Sequence, residues 1–177
     1  MRVAPSAVVV PLLLSTGFHV RVDVAAAVTG RAARAAAPLG PDERLVAILV
    51  DRLAAAGLGP GDAVVLAAAG STDPDAACDV REVAAGLSAA LGRDVVVGYG
   101  AGAHPRVPAA VEGARSGLAP DGRVVVAAYL LAPGYFYDRV LESGADVVTT
   151  PLAPDVRLAE IVLDRFDGAA SRYVEAV

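Results

Sequence analysis

The chain has 177 residues, enough for one domain or two small ones, and is 55% hydrophobic but only 5% aromatic, so Ala, Val and Leu must build its core. All fifteen basic residues are Arg, and the net charge of −5 argues against nucleic acid as a partner, because phosphate binding needs a surplus of cations on one face. A single cysteine, Cys78, cannot form an internal disulfide and suits a reducing cytoplasm.

The first eighteen residues, "MRVAPSAVVVPLLLSTGF", have the basic start and apolar stretch of a signal peptide. Pro11 interrupts that stretch, the small residues "AAAV" come only after His19, Arg21 and Asp23, and a similar segment recurs mid-chain. The expectation is therefore a cytoplasmic protein. No run reaches the ~20 apolar residues of a membrane helix. The apolar run before "STGFHV" predicts a strand that opens into a turn at Gly17. Pro41-Asp42 predicts a helix start, with a proline turn and a carboxylate at the positive end of the helix dipole.

Further along, 62–70 "DAVVLAAAG", 94–100 "DVVVGYG" and 123–131 "RVVVAAYLL" are short Val-rich runs bounded by Gly, Asp or Pro, as in parallel strands buried on both faces. Residues 75–91 (with Cys78 as a packed or incidental thiol), 107–116 and 155–173 predict the intervening helices. In the last of these, Leu158, Ile161, Val162 and Phe166 recur at helical spacing. Strands alternating with helices imply an α/β fold with parallel sheets.

The chain also repeats itself. Residues 38–52 align with 151–165 at nine of fifteen positions, and 8–20 align without a gap with 125–137, sharing Val8, Val9, Leu13, Leu14 and Gly17 with their counterparts. The offset is 113 in one block and 117 in the other. The later copy starts near Val64, so the earlier one is expected to start about 53 residues upstream of Met1. The expected organisation is thus the back part of one unit at 1–58, a Gly-Pro-Gly join, and a complete unit at 62–177.

His19 stands where a strand end opens into a loop, the place at which parallel α/β sheets gather ligands. In "HVRVD", an extended chain would put His19, Arg21 and Asp23 on one face, and a helical one would still bring His19 near Asp23. An imidazole beside a carboxylate serves as a base or a metal ligand; the other reading is a capping or half-buried histidine. His104 follows another strand end and is a second candidate ligand or a plain loop residue. Ser71, Thr72 and Asp73 form a turn suited to capping a helix, with substrate contact by Ser71 as the alternative. "GYGAG" (98–102) lacks the spacing of a nucleotide fingerprint, and the aromatics of "GYFYD" (134–138) suit packing at the sheet rim or stacking on a flat ligand.

The stretch "VVVPLLLSTGFHVRVDV" resembles the strand-turn signature of the sirohydrochlorin chelatases of the CbiX/SirB type, through Pro11, Leu12, Leu14, Gly17, His19 and Asp23. "VVLAAAGSTDPDA" (64–76) is similar to that family's opening strand, with Ala69 at its histidine position and Gly70, Ser71, Asp73 and Pro74 matching. The resemblance implies a chelatase-like α/β fold of duplicated half-domains, the first incomplete, around a cleft. It implies insertion of Fe²⁺ or Co²⁺ into a tetrapyrrole, sirohydrochlorin, for sirohaem or cobalamin, with the metal as substrate and no permanently bound cofactor. On that reading His19 is catalytic and a metal ligand, Phe136 and Ala69 are decayed counterparts in a silent half, Asp23 orients the imidazole, and Arg21 grips a substrate carboxylate. The rival reading is a catalytically silent relative that binds metal or tetrapyrrole or pairs with another subunit. The orphaned first half also makes a homo-oligomer an expectation.

Overall fold

The computed structural model describes residues 7–17 and 19–171, with the backbone alone at residues 19–21. In chain order it contains β1 (Ala7–Val9), a π-helical turn (His19–Val24) running into α1 (Ala25–Val28), β2 (Ala33–Ala35), α2 (Glu43–Ala55), β3 (Ala63–Ala68), α3 (Pro74–Leu91), β4 (Val95–Tyr99), α4 (Val107–Arg115), β5 (Val124–Tyr129), α5 (Tyr135–Leu141), β6 (Val147–Val148) and α6 (Val156–Ser171). Strands β3, β4, β5 and β6 form a parallel sheet in the order β4-β3-β5-β6, while β1 and β2 form a separate parallel pair.

The continuous Val/Ala runs of β3 and β5 are buried because helices cover both sheet faces. Val64, Leu66, Val125, Ala127 and Tyr129 point into a core completed by Leu45, Ile48 and Leu49 of α2, Val83 and Leu87 of α3 and Ile161 of α6. Their alternates Val65, Ala67, Val124 and Val126 meet Val107, Ala110 and Val111 of α4 on the other face.

The internal repeat reappears in the hydrogen bonding. Val9 pairs with Ala35 as Val126 pairs with Val148, which reproduces the offsets of 117 and 113 read from the sequence. The Ala36 amide donates to the Val9 carbonyl at 2.9 Å and the Thr149 amide to the Val126 carbonyl at 2.9 Å. Leu39 reaches the Leu13 carbonyl at 2.8 Å, as Leu152 reaches that of Leu130 at 2.9 Å.

Contacts between the copies are reciprocal as well. Arg44 binds Asp164 at 2.7 Å, and its equivalent Arg157 binds Asp51, the equivalent of Asp164, at 2.7 Å. Arg52 donates to the carbonyls of Pro151, Leu152 and Pro154; Arg165 donates to those of Pro38, Leu39 and Pro41. A guanidinium spanning three carbonyls uses its rigid fork, which a lysine lacks. In consequence α2, from the earlier copy, packs on β5, and α6, from the later one, packs on β1 and β2. The short first pair of strands is roofed by a helix from the other copy.

Charged caps hold the helix starts. Asp42 and Asp155 each accept from the amide two residues on and from the arginine there. The Arg157 hydrogen bond holds the Asp155 carboxyl at about 2. Burial alone would push Asp42 up, but the Arg44 and Arg165 guanidinium groups outweigh it and its value is lowered. At the join, Arg123 holds Asp62 far below the usual carboxylate range, helped by the Gly59 amide.

All three carboxyls are lower in the folded chain, so their stabilisation is complete above the unfolded value near 4 and is lost as the pH falls through the folded ones. The thermal midpoint is expected to hold between pH 7 and 5 and to drop steeply from pH 4 to 2. Asp155→Asn should lower the plateau and flatten that limb. A midpoint unchanged down to pH 2 would contradict these ion pairs.

Candidate functional site

At the C-terminal ends of β3 and β5 lies a cleft of about 680 Å³. This is within the usual size of a small-molecule site and in the position where parallel sheets bind ligands. Its walls are Leu12–Ser15 and Gly17 after β1, Ala68–Thr72 after β3, Ala101 and Gly102 after β4, and Tyr129–Tyr137 after β5. Among the described residues the lining is mainly apolar, with the hydroxyls of Ser15, Ser71, Thr72 and three tyrosines as its polar side chains.

The first wall is fastened to the second copy. The Tyr129 hydroxyl donates to the Leu14 carbonyl at 2.8 Å, and the Thr16 amide donates to Asp79 Oδ2 of α3 at 2.6 Å. A methyl group at Gly40 would strike both the Leu14 carbonyl oxygen and the Tyr129 hydroxyl, so only glycine lets the chain pass there. Burial raises the Tyr129 phenol far above its ordinary value, and nearby Asp79 and Asp42 add to that, so it stays a neutral donor.

The opposite wall depends on a crossing of two loops. Gly70 and Gly102 both have positive φ (84° and 68°); a Cβ at Gly70 would meet the Ala101 carbonyl, and one at Gly102 would meet the Ser71 backbone. The glycines of "GYGAG" therefore serve close backbone approach. Ser71 Oγ accepts from the Asp73 amide at 3.1 Å, and Asp73 itself caps α3 by accepting from the Asp75 amide at 3.0 Å. The capping role expected for this turn is present, and Ser71 also lines the cleft.

His19 opens the π-helical turn two residues beyond Gly17. The backbone there is helical, so the extended arrangement of His19, Arg21 and Asp23 does not occur; His19 and Asp23 lie about one turn apart. The side chains of His19 and Arg21 lie outside the described residues, and Asp23 is exposed. His104 is also exposed, in the loop before α4, and is not among the described cleft residues. Cys78 is exposed on α3, 3.2 Å from an Arg81 nitrogen, which favours the incidental over the packed thiol. Among the described residues, no three His, Cys, Asp or Glu side chains gather as metal ligands, and no helix is long and apolar enough to cross a membrane.

The aromatic group has a larger place than rim packing. Tyr135, Phe136 and Tyr137 all line the cleft, and the rings of Tyr135 and Phe136 meet edge to face at 5.5 Å. Tyr135 is 68% exposed and Phe136 37%. The signal lay in the sequence, three aromatics in five residues directly after a strand end.

Three solved structures share the fold. "SirB from Bacillus subtilis with Fe3+" superposes with a TM-score of 0.81 at 21% identity, over 95% of this chain and 73% of that one. The sirohydrochlorin chelatase SirB from Bacillus subtilis subspecies spizizenii, in complex with cobalt, gives 0.68 at 20% identity, over 93% and 69%. CbiX, described as the terminal enzyme for biosynthesis of siroheme in denitrifying bacteria, gives 0.64 at 19%, over 92% and 75%. No curated protein matches the chain. The CbiX family model matches residues 2–56 and 63–169, two blocks that break at the Gly-Pro-Gly join. The parallel α/β architecture and these matched residues together make the chain a member of the CbiX family.

Proposed function

We propose that the protein is a metal chelatase that inserts a divalent ion, Fe²⁺ or Co²⁺, into the tetrapyrrole sirohydrochlorin, on the route to sirohaem or cobalamin. Family membership supports this reading, as do two of the similar structures, SirB with Fe3+ and the sirohydrochlorin chelatase SirB in complex with cobalt. The single observation that carries it is the position of the cleft. An apolar hollow of about 680 Å³ has, as one wall, the segment Leu12–Gly17 that runs directly into His19. In this reading residues 1–58 form the back part of one chelatase-like half and 62–177 a complete second half, with the cleft between them.

The residues divide the work by chemistry. The apolar walls and the rings of Tyr135 and Phe136 receive the flat face of the macrocycle and exclude water. The His19 imidazole ligates the incoming ion, a borderline acid that accepts nitrogen donors; once the ion passes to the macrocycle, the freed nitrogen takes up one of the two pyrrole protons and solvent water takes the other. Asp23, one turn on, orients that ring, and Arg21 offers a two-pronged cation to a substrate carboxylate. Ser71 offers a hydroxyl at the opposite wall. His104 has no part in this scheme, and the metal is consumed as substrate, so no resident cofactor is required.

The test is the absorption change of metallation. Protein mixed with sirohydrochlorin and Co²⁺ or Fe²⁺ should convert the free macrocycle faster than the same solution without protein. A rate equal to the protein-free one would reject the reading and leave a silent relative that binds without turnover.

A further inference from the structure

The two copies share their hydrogen bonds as far as Leu13 and Leu130 and part company at the next residue. The Val9 and Leu13 carbonyls accept from Ala36 and Leu39 just as those of Val126 and Leu130 accept from Thr149 and Leu152. Beyond that point the Leu131 carbonyl accepts the Ala153 amide at 2.9 Å, whereas the Leu14 carbonyl accepts the Tyr129 hydroxyl at 2.8 Å. Two residues on, the Thr16 amide donates to Asp79 Oδ2 at 2.6 Å. In the gapless alignment of 8–20 with 125–137, Thr16 falls on Pro133. Proline has no amide hydrogen and cannot make such a bond with any partner.

The same alignment sets His19 opposite Phe136. The tether therefore belongs to the turn that carries the imidazole, three residues before it, and the turn that carries a phenyl ring is built without an amide to hold. Its anchor is rigid. Asp79 is half-buried on α3, a helix capped by Asp73 and fixed by the buried side chains of Ala76, Val80 and Val83. A carboxylate that accepts an amide makes a charge-assisted bond, stronger than the neutral bonds of the ladder. Gly17, the next residue, is not crowded: a Cβ there would lie 3.5 Å from Ser71 Oγ and 3.8 Å from Ala76 Cβ, ordinary contact distances.

We infer that Asp79 is a positioning residue for His19. By holding the Thr16 amide it fixes the backbone that enters the His19–Val24 turn, and with it the place from which the imidazole meets the ion. Asp79 is not among the described cleft residues, so it acts through the turn and not on metal or macrocycle. The role rests on the reading of His19 as the ligand that delivers the metal. Placement of this kind matters because a shift of about 1 Å in a reacting group can cost about a hundredfold in rate. A tether that served the fold alone would be expected in both copies, since the ladders leading to the two turns are the same.

The test follows the histidine rings by NMR in the full, metal-free chain carrying isotope-labelled histidine, with the two signals assigned through His104→Ala. The parent should show one sharp His19 ring signal. Asp79→Ala should broaden it or move it to the position of a free histidine while the His104 signal stays; Asp79→Asn, which keeps an acceptor oxygen, should restore it. Thr16→Pro removes the bond from its other end and should match Asp79→Ala, with no further change when the two are combined. Asp155→Asn lowers stability far from the turn and should leave the signal in place. In metal insertion, Asp79→Ala should lower kcat at least about tenfold with the KM for the macrocycle within about twofold. A parent without insertion activity rejects the chelatase reading, while the ring signal, read without turnover, still decides the role of Asp79. That role is overturned if the His19 signal is the same in Asp79→Ala and Thr16→Pro as in the parent, or if Asp155→Asn disturbs it equally.

Discussion

His19→Ala is expected to slow metal insertion by about a hundredfold or more, the usual scale for a lost ligand and proton acceptor. The chain has two histidines, and the other, His104, is exposed and outside the cleft lining. Among the described residues the lining contains no carboxylate, thiol or imidazole that could substitute as a nitrogen or anionic ligand. Because the apolar walls stay intact, the KM for the macrocycle should stay within about twofold while kcat falls. His104→Ala should leave both constants unchanged. If His19→Ala retains half the rate, or loses it only through a raised KM, the imidazole neither receives metal nor takes a proton.

The second large effect is at Gly40. Alanine there drives its methyl group into the Leu14 carbonyl oxygen and the Tyr129 hydroxyl, which are hydrogen-bonded to each other at 2.8 Å. Tyr129 is 2% exposed and cannot swing aside into solvent, so the backbone at Leu14 has to move. Overpacking of this kind costs about 1–3 kcal/mol, and the loss of the buried bond adds about 1 kcal/mol. A loss of about 3 kcal/mol in chemical denaturation is the expected result for Gly40→Ala, with activity reduced at temperatures where the variant is still folded, since Leu14 lies on the wall that leads to His19. Tyr129→Phe separates the two contributions: it removes the bond without the clash and should cost about 1 kcal/mol. Equal stability of Gly40→Ala and the parent chain would mean that the wall is not held in this way.

Much of the fold was legible because two sources of order in the sequence are strong. Val-rich runs between polar breaks give β3, β4 and β5, and helical periodicity gives α3, α4 and α6, each within a few residues of its expected bounds. The duplication was legible for the same reason: the segments that repeat are those that pack, and the strand register carries the same two offsets. Helix α5 was not anticipated, because "YFYDRVL" is a short aromatic segment after Gly134 with no apolar period. The helical path at His19–Val24 was one of two readings left open, since "HVRVDV" alternates like a strand and its helical turn depends on what packs around it. The exchange of α2 and α6 between copies rests on Arg52, Arg157 and Arg165 meeting partners about a hundred residues away, which no local pattern encodes. At the site, Gly17 and Ser71, both on the cleft walls, could be read from their motifs, whereas the aromatic wall stood out only as an excess of rings until the loop after β5 placed it against the cleft.

The most direct measurement is the cobalt X-ray absorption spectrum of the protein loaded with Co²⁺, taken in parallel for the parent chain, His19→Ala and His104→Ala. Metal delivery through His19 predicts imidazole outer-shell scattering in the parent and in His104→Ala, and its disappearance in His19→Ala. A parent spectrum made of oxygen ligands alone, or an imidazole signal that survives His19→Ala, would contradict it.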